Sequence, residues 1–468
     1  MAAEALQIAT SAESENPATS SFRWHTSPRH AAPWRQTANK LIAAEISSFA
    51  RYFERLVQWQ PREVDTGILF DAIQCPKKQV AADDLALPDC KSDRAQTVIL
   101  LNGNLNHDYD IQATLSKLKQ KLTRRDRVSV VLYNPYFRFL YWAANFLGLR
   151  EGAQPETFIT RTDLDNIAKL SGFEVVRLRP AVYFPWNLFG IGKILNHILP
   201  ALPLFRWLSL VTIGILRPVM AESSAPSISI VIPARNERGN IENALKRMPH
   251  FGGAKTEIIY IEGHSKDGTW EEIQRVLPLY RERFTLSAYQ QTGKGKSDAV
   301  RLGFSKAQHE IVTILDADLT MPPELLERFY DAYRLGMADF INGSRLTYPM
   351  EGEAMRFLNR LGNIFFAKAL SLVLGTRLGD SLCGTKLLTR RDYVRMCQWR
   401  KDFGDFDPFG DFELLFPAAV LGMGIIDIPV RYRDRVYGST NIRRFYHGWM
   451  LLKMTWIGLR RISLGRSQ

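Results

Sequence analysis

The sequence predicts an α/β protein that consists of two doubly wound α/β domains. Two observations carry this prediction. First, short apolar runs of strand length alternate with segments of helical periodicity in both halves of the chain, which is typical of parallel sheets. Second, a small polar linker at residues 221–226 separates the two halves immediately before a strongly apolar run. The chain has 468 residues, which is long enough for two to three domains with substantial cores.

The N-terminal domain, residues 22–220, follows a segment that we expect to be disordered. Residues 1–21 are rich in Ala, Ser, Thr and Glu and have no apolar core, so they form a tail and not a secretory signal. Predicted strands cover 97–101, 128–132 and 173–178, and predicted helices cover 111–122 and 163–171. Arg206 interrupts the apolar run 201–216, and no uncharged apolar stretch reaches the roughly 18 residues of a membrane-spanning helix.

The second domain, residues 227–440, repeats the alternation of strands and helices. Its strands are predicted at 228–232, 257–261, 311–315 and 339–342. Polar segments follow the first two strands at 233–237 and 262–269, where open α/β sheets bind ligands. A third segment, 292–297, places lysines and glycines before a helix predicted at 298–304, a setting that favours phosphate. Together these segments predict a site for a phosphorylated ligand.

An acidic pair, Asp316-Ala317-Asp318, ends the third strand of this domain. Carboxylates at positions i and i+2 point to the same side, and they can hold a hard divalent cation against a diphosphate. The residues that follow predict a helix that has Thr320 as its N-cap and prolines in its first turn. Three other Asp-x-Asp pairs, at 108–110, 163–165 and 405–407, lack this setting, and we interpret them as loop or cap acids.

The net charge of +13 is concentrated towards the C-terminus. In residues 441–468, Lys and Arg alternate with apolar and aromatic residues, which is typical of an amphipathic helix on an anionic membrane surface. A terminal helix packed on its domain is the alternative. No nucleic-acid-binding motif accompanies the charge, so nucleic acid is not an expected partner. The four cysteines form neither a CxxC pair nor a zinc spacing, which predicts free thiols in a reducing compartment.

The segments of the second domain form an ordered set that is far more specific than any one of them. The set comprises 233–237, 262–269, 293–295, 316–318, 323–324, 343–345, 380–384, 411–414, 429–435 and 438–441. In this order it resembles the family 2 glycosyltransferases of GT-A fold, and most closely the polyprenyl-phosphate sugar synthases of the dolichol-phosphate mannosyltransferase type. The resemblance extends over about half of the chain, 227–461.

The resemblance implies a nucleotide-diphosphate sugar donor, one divalent cation (Mg²⁺ or Mn²⁺) and inversion at the anomeric carbon. By position, the donor nucleotide would be bound by Pro233, Ala234, Asn236, Glu237, Glu262, Lys294 and Asp316. Asp316 and Asp318 would hold the metal, and Arg345, Arg433 and Arg435 would face donor or acceptor phosphates. Two positions depart from the family pattern: Gly263 replaces a usual second acid, and Thr320 replaces a glutamine that often binds the metal.

The acceptor determines whether catalysis needs a general base in addition to Asp318. A lipid phosphate is already anionic at neutral pH, because the second pKa of a phosphate monoester is about 6. An alcohol acceptor would need a base, for which Asp411 is the candidate and Glu413 the second choice. Alternatively, both are acids at a helix N-terminus that the helix dipole favours.

The N-terminal domain carries a second, less specific resemblance. Val98–His107, the helix that follows, and Thr160–Val176 resemble the later half of a class I S-adenosylmethionine methyltransferase, over about 97–218. Such folds need a glycine-rich turn after the first strand, but only Gly67 and Gly103 precede residue 148. We therefore expect a degenerate domain that does not bind S-adenosylmethionine and serves as a scaffold or acceptor-side partner.

The sequence favours a metal-dependent inverting glycosyltransferase that acts on a polyprenyl phosphate. We expect it in the cytoplasm, peripherally bound to the inner face of the cell membrane. The alternatives are a transferase for a soluble or protein acceptor, a bifunctional methyltransferase–glycosyltransferase, and a non-catalytic protein that binds nucleotide sugars.

Overall fold

A computed structural model of the chain describes residues 24, 32–92, 95–150, 152–348, 357–404, 407, 410–433, 437 and 444–464. The tail predicted at residues 1–21 lies outside these residues, as does part of the segment predicted at 441–468.

The N-terminal half contains a six-stranded sheet. Its strands are β1 (Arg55–Trp59), β2 (Lys77–Ala81), β3 (Thr97–Asn102), β4 (Arg127–Tyr133), β5 (Phe173–Val182) and β6 (Val211–Pro218). The strand order is β2-β1-β3-β4-β6-β5, and β6 runs antiparallel to both of its neighbours while the other pairs are parallel. The helices are α1 (Pro33–Ala50), α2 (Ile68–Ala72), α3 (Ile111–Lys121), α4 (Arg138–Phe146), α5 (Arg161–Leu170) and α6 (Ile191–Ile198).

Side-chain caps explain where two of these helices begin. Asp110 caps α3 by accepting a hydrogen bond from the amide of Ala113 at 2.9 Å. Thr160 and Asp163 form a reciprocal capping box at the start of α5. Such caps satisfy backbone amides that have no partner within the helix. The interpretation of the Asp-x-Asp pairs at 108–110 and 163–165 as cap acids is confirmed at these positions.

The C-terminal half contains a seven-stranded sheet. Its strands are β7 (Ile228–Ala234), β8 (Thr256–Glu262), β9 (Thr285–Gln290), β10 (Ile311–Ile314), β11 (Phe340–Ser344), β12 (Lys386–Thr389) and β13 (Ile425–Pro429). The order is β13-β11-β12-β10-β7-β8-β9, with β12 antiparallel to β10 and β11 and all other pairs parallel. The helices are α7 (Ile241–Lys246), α8 (Thr269–Tyr280), α9 (Lys296–Lys306), α10 (Leu326–Arg334), α11 (Phe357–Leu374), α12 (Arg390–Phe403), α13 (Phe412–Val420) and α14 (Arg444–Gly458). The predicted α/β class is confirmed.

Each sheet has buried apolar clusters that include inward-facing residues of its strands. In the second sheet, Ile230 and Ile232 of β7 belong to one cluster and Val231 belongs to another, because successive side chains of a strand point to opposite faces. Because β10, β7 and β8 are neighbouring parallel strands, the loops after them emerge at one edge of the sheet.

The two halves are joined by a buried cluster of charges around Asp339. Its carboxylate is 3.1 Å from Arg124 Nε, 2.7 Å from Arg127 Nη2 and 3.5 Å from Arg217 Nη1. The three arginines come from the first half, and the amide of Gly424 donates a further hydrogen bond to Asp339 at 3.1 Å. These contacts fix the orientation of one sheet against the other.

Two further observations concern the whole of the described chain. Among the described residues, no helix combines the length and hydrophobicity that crossing a membrane requires. All four cysteines, Cys75, Cys90, Cys383 and Cys397, are free thiols, as predicted.

Candidate active site

The acidic pair lies where β10 ends at the edge of the second sheet. Asp318 accepts hydrogen bonds from the Thr320 amide at 3.1 Å and from the Thr320 hydroxyl at 2.7 Å. Thr320 is therefore not the N-cap that we predicted. The helical turn begins instead at Pro323, with Pro322 in the cap position, because Asp318 already engages the hydroxyl of Thr320.

Lys296, the first residue of α9, forms an ion pair with Asp316. Burial would lower the pKa of Lys296, but the carboxylates of Asp316, Asp411 and Asp318 raise it above its ordinary value. A Cβ at position 384 would collide with Lys296 Nζ and with the Asp316 carboxylate, so Gly384 leaves room for this close approach. The charges of three carboxylates thus act on one ammonium group, and Asp316 is its ion-pair partner.

Asp411 is held by a second, fully buried lysine. Lys386 Nζ forms an ion pair with Asp411 and also donates to the carbonyl of Cys383. The amides at the start of α13 bond instead to Asp407, which accepts from Phe412 N at 2.7 Å and from Glu413 N at 2.9 Å. Asp411 therefore faces the site's lysines, while Asp407 caps the helix.

Glu413 has different partners from Asp411. Its carboxylate accepts from Arg301 Nη2 of α9 at 2.6 Å and from Arg400 Nη1 of α12 at 3.1 Å, and only 4% of the residue is exposed. Charge-assisted bonds of this kind fix a carboxylate in place. Glu413 thus connects α9, α12 and α13.

The loops after β7 and β8 contact each other at the same edge. Pro233 and Ala234 end β7, and the Asn236 amide donates to the Ser265 hydroxyl at 2.9 Å. Glu237 accepts from Asn240 Nδ2 at 2.7 Å, and Glu262 accepts from the Ser265 amide at 2.5 Å. These predicted nucleotide residues therefore lie at the ends of β7 and β8 and in the loops after them, which are joined by hydrogen bonds.

Backbone conformation marks the three loops as unusual. Asn236, His264 and Leu319, which follow β7, β8 and β10, have φ values of 56°, 58° and 51°. Left-handed conformations are costly for residues other than glycine and cluster at functional sites. The third predicted phosphate segment adds Lys294, which is exposed beside Gly295 at the start of α9.

The predicted phosphate-binding arginines have different surroundings. Arg345 donates to Asp380 through Nε at 2.7 Å and through Nη2 at 2.9 Å. Burial would raise the pKa of Asp380, but the Arg345 guanidinium outweighs burial and holds that pKa below its ordinary value. Arg433 has an exposed side chain, and its amide donates to Thr320 O at 2.9 Å. Arg435 lies outside the described residues.

The chemistry of the acidic pair fits a hard cation, which prefers carboxylate oxygens. Within the described part of the chain, however, no group of three or more His, Cys, Asp or Glu side chains is arranged as a metal site. The positive charge beside Asp316 is supplied by Lys296. Asp316 and Asp318 are therefore the residues that could hold a cation, in competition with an internal ammonium group.

Four residues of this cluster were not among the predicted site residues: Lys296, Asp380, Lys386 and Tyr432. The Arg345 guanidinium lies 5.6 Å from the centroid of the Tyr432 ring, and burial and then the Asp318 carboxylate raise the pKa of Tyr432. Lys296, Asp380 and Tyr432 lie in the segments 292–297, 380–384 and 429–435 identified from the sequence, and these segments were the signal that could have found them. Lys386 is the first residue of β12, and only the tertiary fold brings it to Asp411.

Comparison with known proteins identifies the C-terminal half. Residues 229–395 match the family described as Glycosyl transferase family 2. A dolichyl-phosphate hexose transferase of Haloferax volcanii is 28% identical over 229 residues, which are 49% of this chain and 92% of the relative. A dolichol-phosphate mannosyltransferase of Pyrococcus furiosus is 32% identical over 222 residues, which are 46% of this chain and 59% of the relative.

Solved structures show a more distant similarity. The mannosyltransferase PcManGT of Pyrobaculum calidifontis, solved with GDP-Man and Mn²⁺, is 18% identical and gives a TM-score of 0.33. That alignment covers 49% of this chain and 62% of the other.

Proposed function

Since residues 229–395 form a family 2 glycosyltransferase domain, the protein is a glycosyltransferase, and we propose that it transfers a hexose to a polyprenyl phosphate. The donor is a nucleotide-diphosphate sugar, and the reaction inverts the anomeric carbon. Two relatives support the proposed identity of the acceptor. Both are named as dolichyl- or dolichol-phosphate transferases, and one of them is aligned over 92% of its length.

The surroundings of Asp411 support an anionic acceptor. An alcohol would need a base to take its proton, whereas a phosphate monoester is already ionised at neutral pH. Asp411 is paired with Lys386, and Glu413 is held by two arginines, so both carboxylates are committed to cations. We therefore assign neither of them an obligatory role in proton transfer.

Charge neutralisation of the leaving nucleoside diphosphate is the main catalytic requirement. Asp316 and Asp318 would hold a divalent cation, Mg²⁺ or Mn²⁺, which supplies Lewis-acid stabilisation of the diphosphate when bound. Lys294 and Lys296, at the start of α9, add positive charge and backbone amides at a helix N-terminus. Arg345, Arg433 and Arg435 are proposed to face phosphate groups.

The nucleotide is proposed to bind across the loops after β7 and β8. Pro233, Ala234, Asn236, Glu237 and Glu262 line these loops. Their hydrogen bonds to Ser265, Lys266 and Thr269 make the loops rigid before a ligand arrives. A rigid site reduces the entropy that binding would otherwise cost.

For the N-terminal half we propose a scaffold role without methyl transfer. The carboxyl edge of its sheet is filled by side chains of the protein itself. Arg62 donates to Tyr133 Oη at 3.1 Å, and Asp65 accepts from Asn102 Nδ2 at 3.0 Å and from Gln58 Nε2 at 2.9 Å. These groups occupy the position where an open α/β sheet would bind a cofactor.

A transfer assay tests this proposal. The full chain is incubated with a panel of nucleotide sugars, a polyprenyl phosphate, and Mg²⁺, Mn²⁺ or EDTA, and glycolipid formation is followed. One donor should give a product that depends on the metal and on the lipid phosphate. Product formed with polyprenol, or with a soluble acceptor in its place, would contradict the proposed acceptor.

The control for this assay removes a carboxylate from another Asp-x-Asp pair, one that has no proposed role in transfer. Asp318→Ala should reduce transfer by about 10²–10³-fold, the loss typical of removing a stabilising electrostatic contact. Asp165→Ala removes the second acid of an Asp-x-Asp pair that lies on the exposed face of α5, so transfer should be unchanged. Equal rates for Asp318→Ala and the wild type would exclude the metal assignment.

A further inference from the structure

Half of the tryptophans of this chain are largely exposed. The exposed fraction is 60% for Trp142, 51% for Trp186, 56% for Trp207, 68% for Trp449 and 60% for Trp456. The other five of the ten tryptophans are buried or half-buried. Large aromatic side chains are normally buried, and exposed ones mark surfaces that contact something else. The five exposed tryptophans belong to only a few elements, which we call the aromatic segments: 138–150, 186–208 and 444–464.

Three helices of the aromatic segments carry an outward row of apolar side chains with the same spacing. The row is Phe139, Trp142 and Phe146 in α4, Ile191, Ile194 and Ile198 in α6, and Trp449, Leu452 and Trp456 in α14. Positions i, i+3 and i+7 share one face of a helix. In α14, Leu451 and Met454 are buried, so this helix is apolar both inward and outward. An outward apolar face on each of three helices is a binding surface and not part of a core.

Hydrogen bonds hold in place the part of this surface that the N-terminal half contributes. The Asn196 side chain accepts from the Tyr183 amide at 2.8 Å and donates to the carbonyls of Phe184 and Gly192 at 2.6 and 2.8 Å. These bonds fix α6 against the end of β5. Phe189, at the tip of the loop before α6, is fully exposed in a left-handed conformation with φ of 54°. The protein therefore holds apolar side chains in water on a rigid support.

Hydrogen bonds join the N-terminal half to the C-terminal helices near the aromatic segments. Arg206 Nη2 donates to the Leu372 carbonyl of α11 at 2.6 Å. Arg179 Nη2 donates at 2.9 Å to the carbonyls of Ile462 and Ser463, directly after α14. The Trp207 ring lies 6.3 Å from that of Tyr136 at the approach to α4. The exposed rows thus belong to neighbouring elements.

The charge of these segments indicates what they contact. The three aromatic segments, 138–150, 186–208 and 444–464, contain no Asp or Glu and eight Lys or Arg. Exposed tryptophans together with basic residues are typical of proteins at the interface of an anionic membrane. The face of a second protein copy would carry the same positive charges and would be repelled.

From these observations we infer that α4, the 186–208 segment and α14 together form a docking face for an anionic lipid bilayer. The N-terminal half would then position the glycosyltransferase domain at the membrane, which gives this half a function that needs no cofactor. The inference deepens the proposed function, on which it rests for its biological purpose. It can nevertheless be tested without donor or acceptor.

Vesicle sedimentation of the full chain tests the inference. Vesicles of phosphatidylcholine with about 30% phosphatidylglycerol, without polyprenyl phosphate, should bind the wild type. Pure phosphatidylcholine should bind it more weakly, and high salt should weaken the anionic binding because it screens the charges. The variant Ile191→Ser, Ile194→Ser, Ile198→Ser keeps Asn196 and should lose at least tenfold in binding.

A matched control replaces three exposed leucines outside the aromatic segments. Leu85→Ser, Leu279→Ser and Leu335→Ser together remove comparable exposed apolar surface and should bind vesicles like the wild type. Thermal unfolding checks that both triple variants fold. Brominated lipids should quench the fluorescence of the wild type, because exposed tryptophans would enter the bilayer.

Three outcomes of these experiments would decide between the alternatives. Equal vesicle binding by the α6 variant and the wild type would overturn the inference. If light scattering shows a wild-type dimer that the α6 variant converts to a monomer, while vesicle binding stays unchanged, the face joins two copies instead. Vesicle binding without any glycosyl transfer would leave the docking face intact and refute the proposed function alone.

Discussion

At the scale of single residues, Lys296 is the unexpected member of the candidate active site. Its ammonium pairs with Asp316, and the carboxylates of Asp318 and Asp411 also act on it. A divalent cation at the acidic pair would have to compete with this charge for the same oxygens. A cation held there before the donor arrives would therefore be bound less tightly than it would be without this lysine.

Lys296→Met should increase the affinity for Mn²⁺. The substitution keeps the length of the side chain while it removes the competing charge, and two unit charges about 4 Å apart at a protein surface interact by about 4 kcal/mol before desolvation. We expect at least a tenfold lower Kd for Mn²⁺ in calorimetric titration without donor. The control is Lys294→Met at the exposed neighbour, which should change the Kd little. A weaker Mn²⁺ affinity in the Lys296 variant would contradict the competition.

Asp411→Asn separates the two classes of acceptor. If the acceptor is a phosphate, transfer should fall by less than about tenfold, because no proton has to be removed and only the charge beside Lys386 and Lys296 is lost. A general base would instead account for about 10²–10⁴-fold of the rate. Initial rates at saturating donor measure the difference, and thermal unfolding checks the fold. A loss above 10² with an intact fold would support an alcohol acceptor.

At the scale of elements, much of the secondary structure could be predicted from local patterns. The strand predicted at 128–132 is observed as Arg127–Tyr133, and the helix predicted at 111–122 as Ile111–Lys121. Periodicity and caps act over a few residues and are visible in the sequence. The prediction failed at Thr320, where a bond to Asp318 competes with the cap. Strand order and the antiparallel β12 depend on non-local pairing.

The candidate site shows the same division between local and non-local information. Asp316, Asp318 and Asn236 follow strands and Glu262 is the last residue of one, so their position at the sheet edge could be predicted. Their partners could not, since Lys386 reaches Asp411 from a strand 25 residues away. Likewise, the Arg345–Asp380 pair spans 35 residues. Ion pairs between distant segments need the tertiary fold.

Glu413 should matter more for stability than for chemistry. It connects three helices, and Glu413→Ala leaves Arg301 and Arg400 without their shared carboxylate. Because both arginines are partly solvated, we expect a loss of about 2–3 kcal/mol in the free energy of unfolding. Glu413→Gln should keep most of the transfer activity. Urea unfolding and initial rates measure both effects.

The control for Glu413 is an exposed carboxylate with an arginine partner. Glu272→Ala removes the ion pair with Arg275, whose side chain is 50% exposed, and should cost less than about 1 kcal/mol. If Glu413→Gln abolished transfer while leaving the unfolding curve unchanged, Glu413 would be a general base and not a structural carboxylate.

At the scale of the whole molecule, Asp339 couples the two halves through Arg124, Arg127 and Arg217. Asp339→Asn should destabilise the protein by about 3–5 kcal/mol, because three buried guanidinium groups would lose the buried carboxylate that they share, although Arg124 and Arg217 keep Glu222 and Glu174 as partners. Asp165→Ala, which breaks an exposed ion pair with Lys169, should cost less than about 1 kcal/mol. Urea unfolding followed by tryptophan fluorescence compares the variants.

The stabilisation that Asp339 contributes to the folded protein should decrease as the pH falls. Burial alone would raise the pKa of Asp339, but the three arginines outweigh burial and hold it far below the ordinary value of about 3.9. Stabilisation by the carboxylate is therefore complete above pH 4 and is lost as the pH falls towards the folded-state pKa. The difference in urea midpoint between wild type and Asp339→Asn should be constant from pH 7 to pH 5 and smaller at pH 3. A difference that grows on acidification would mean that the carboxylate is protonated in the folded protein and that the two halves are held together by other contacts.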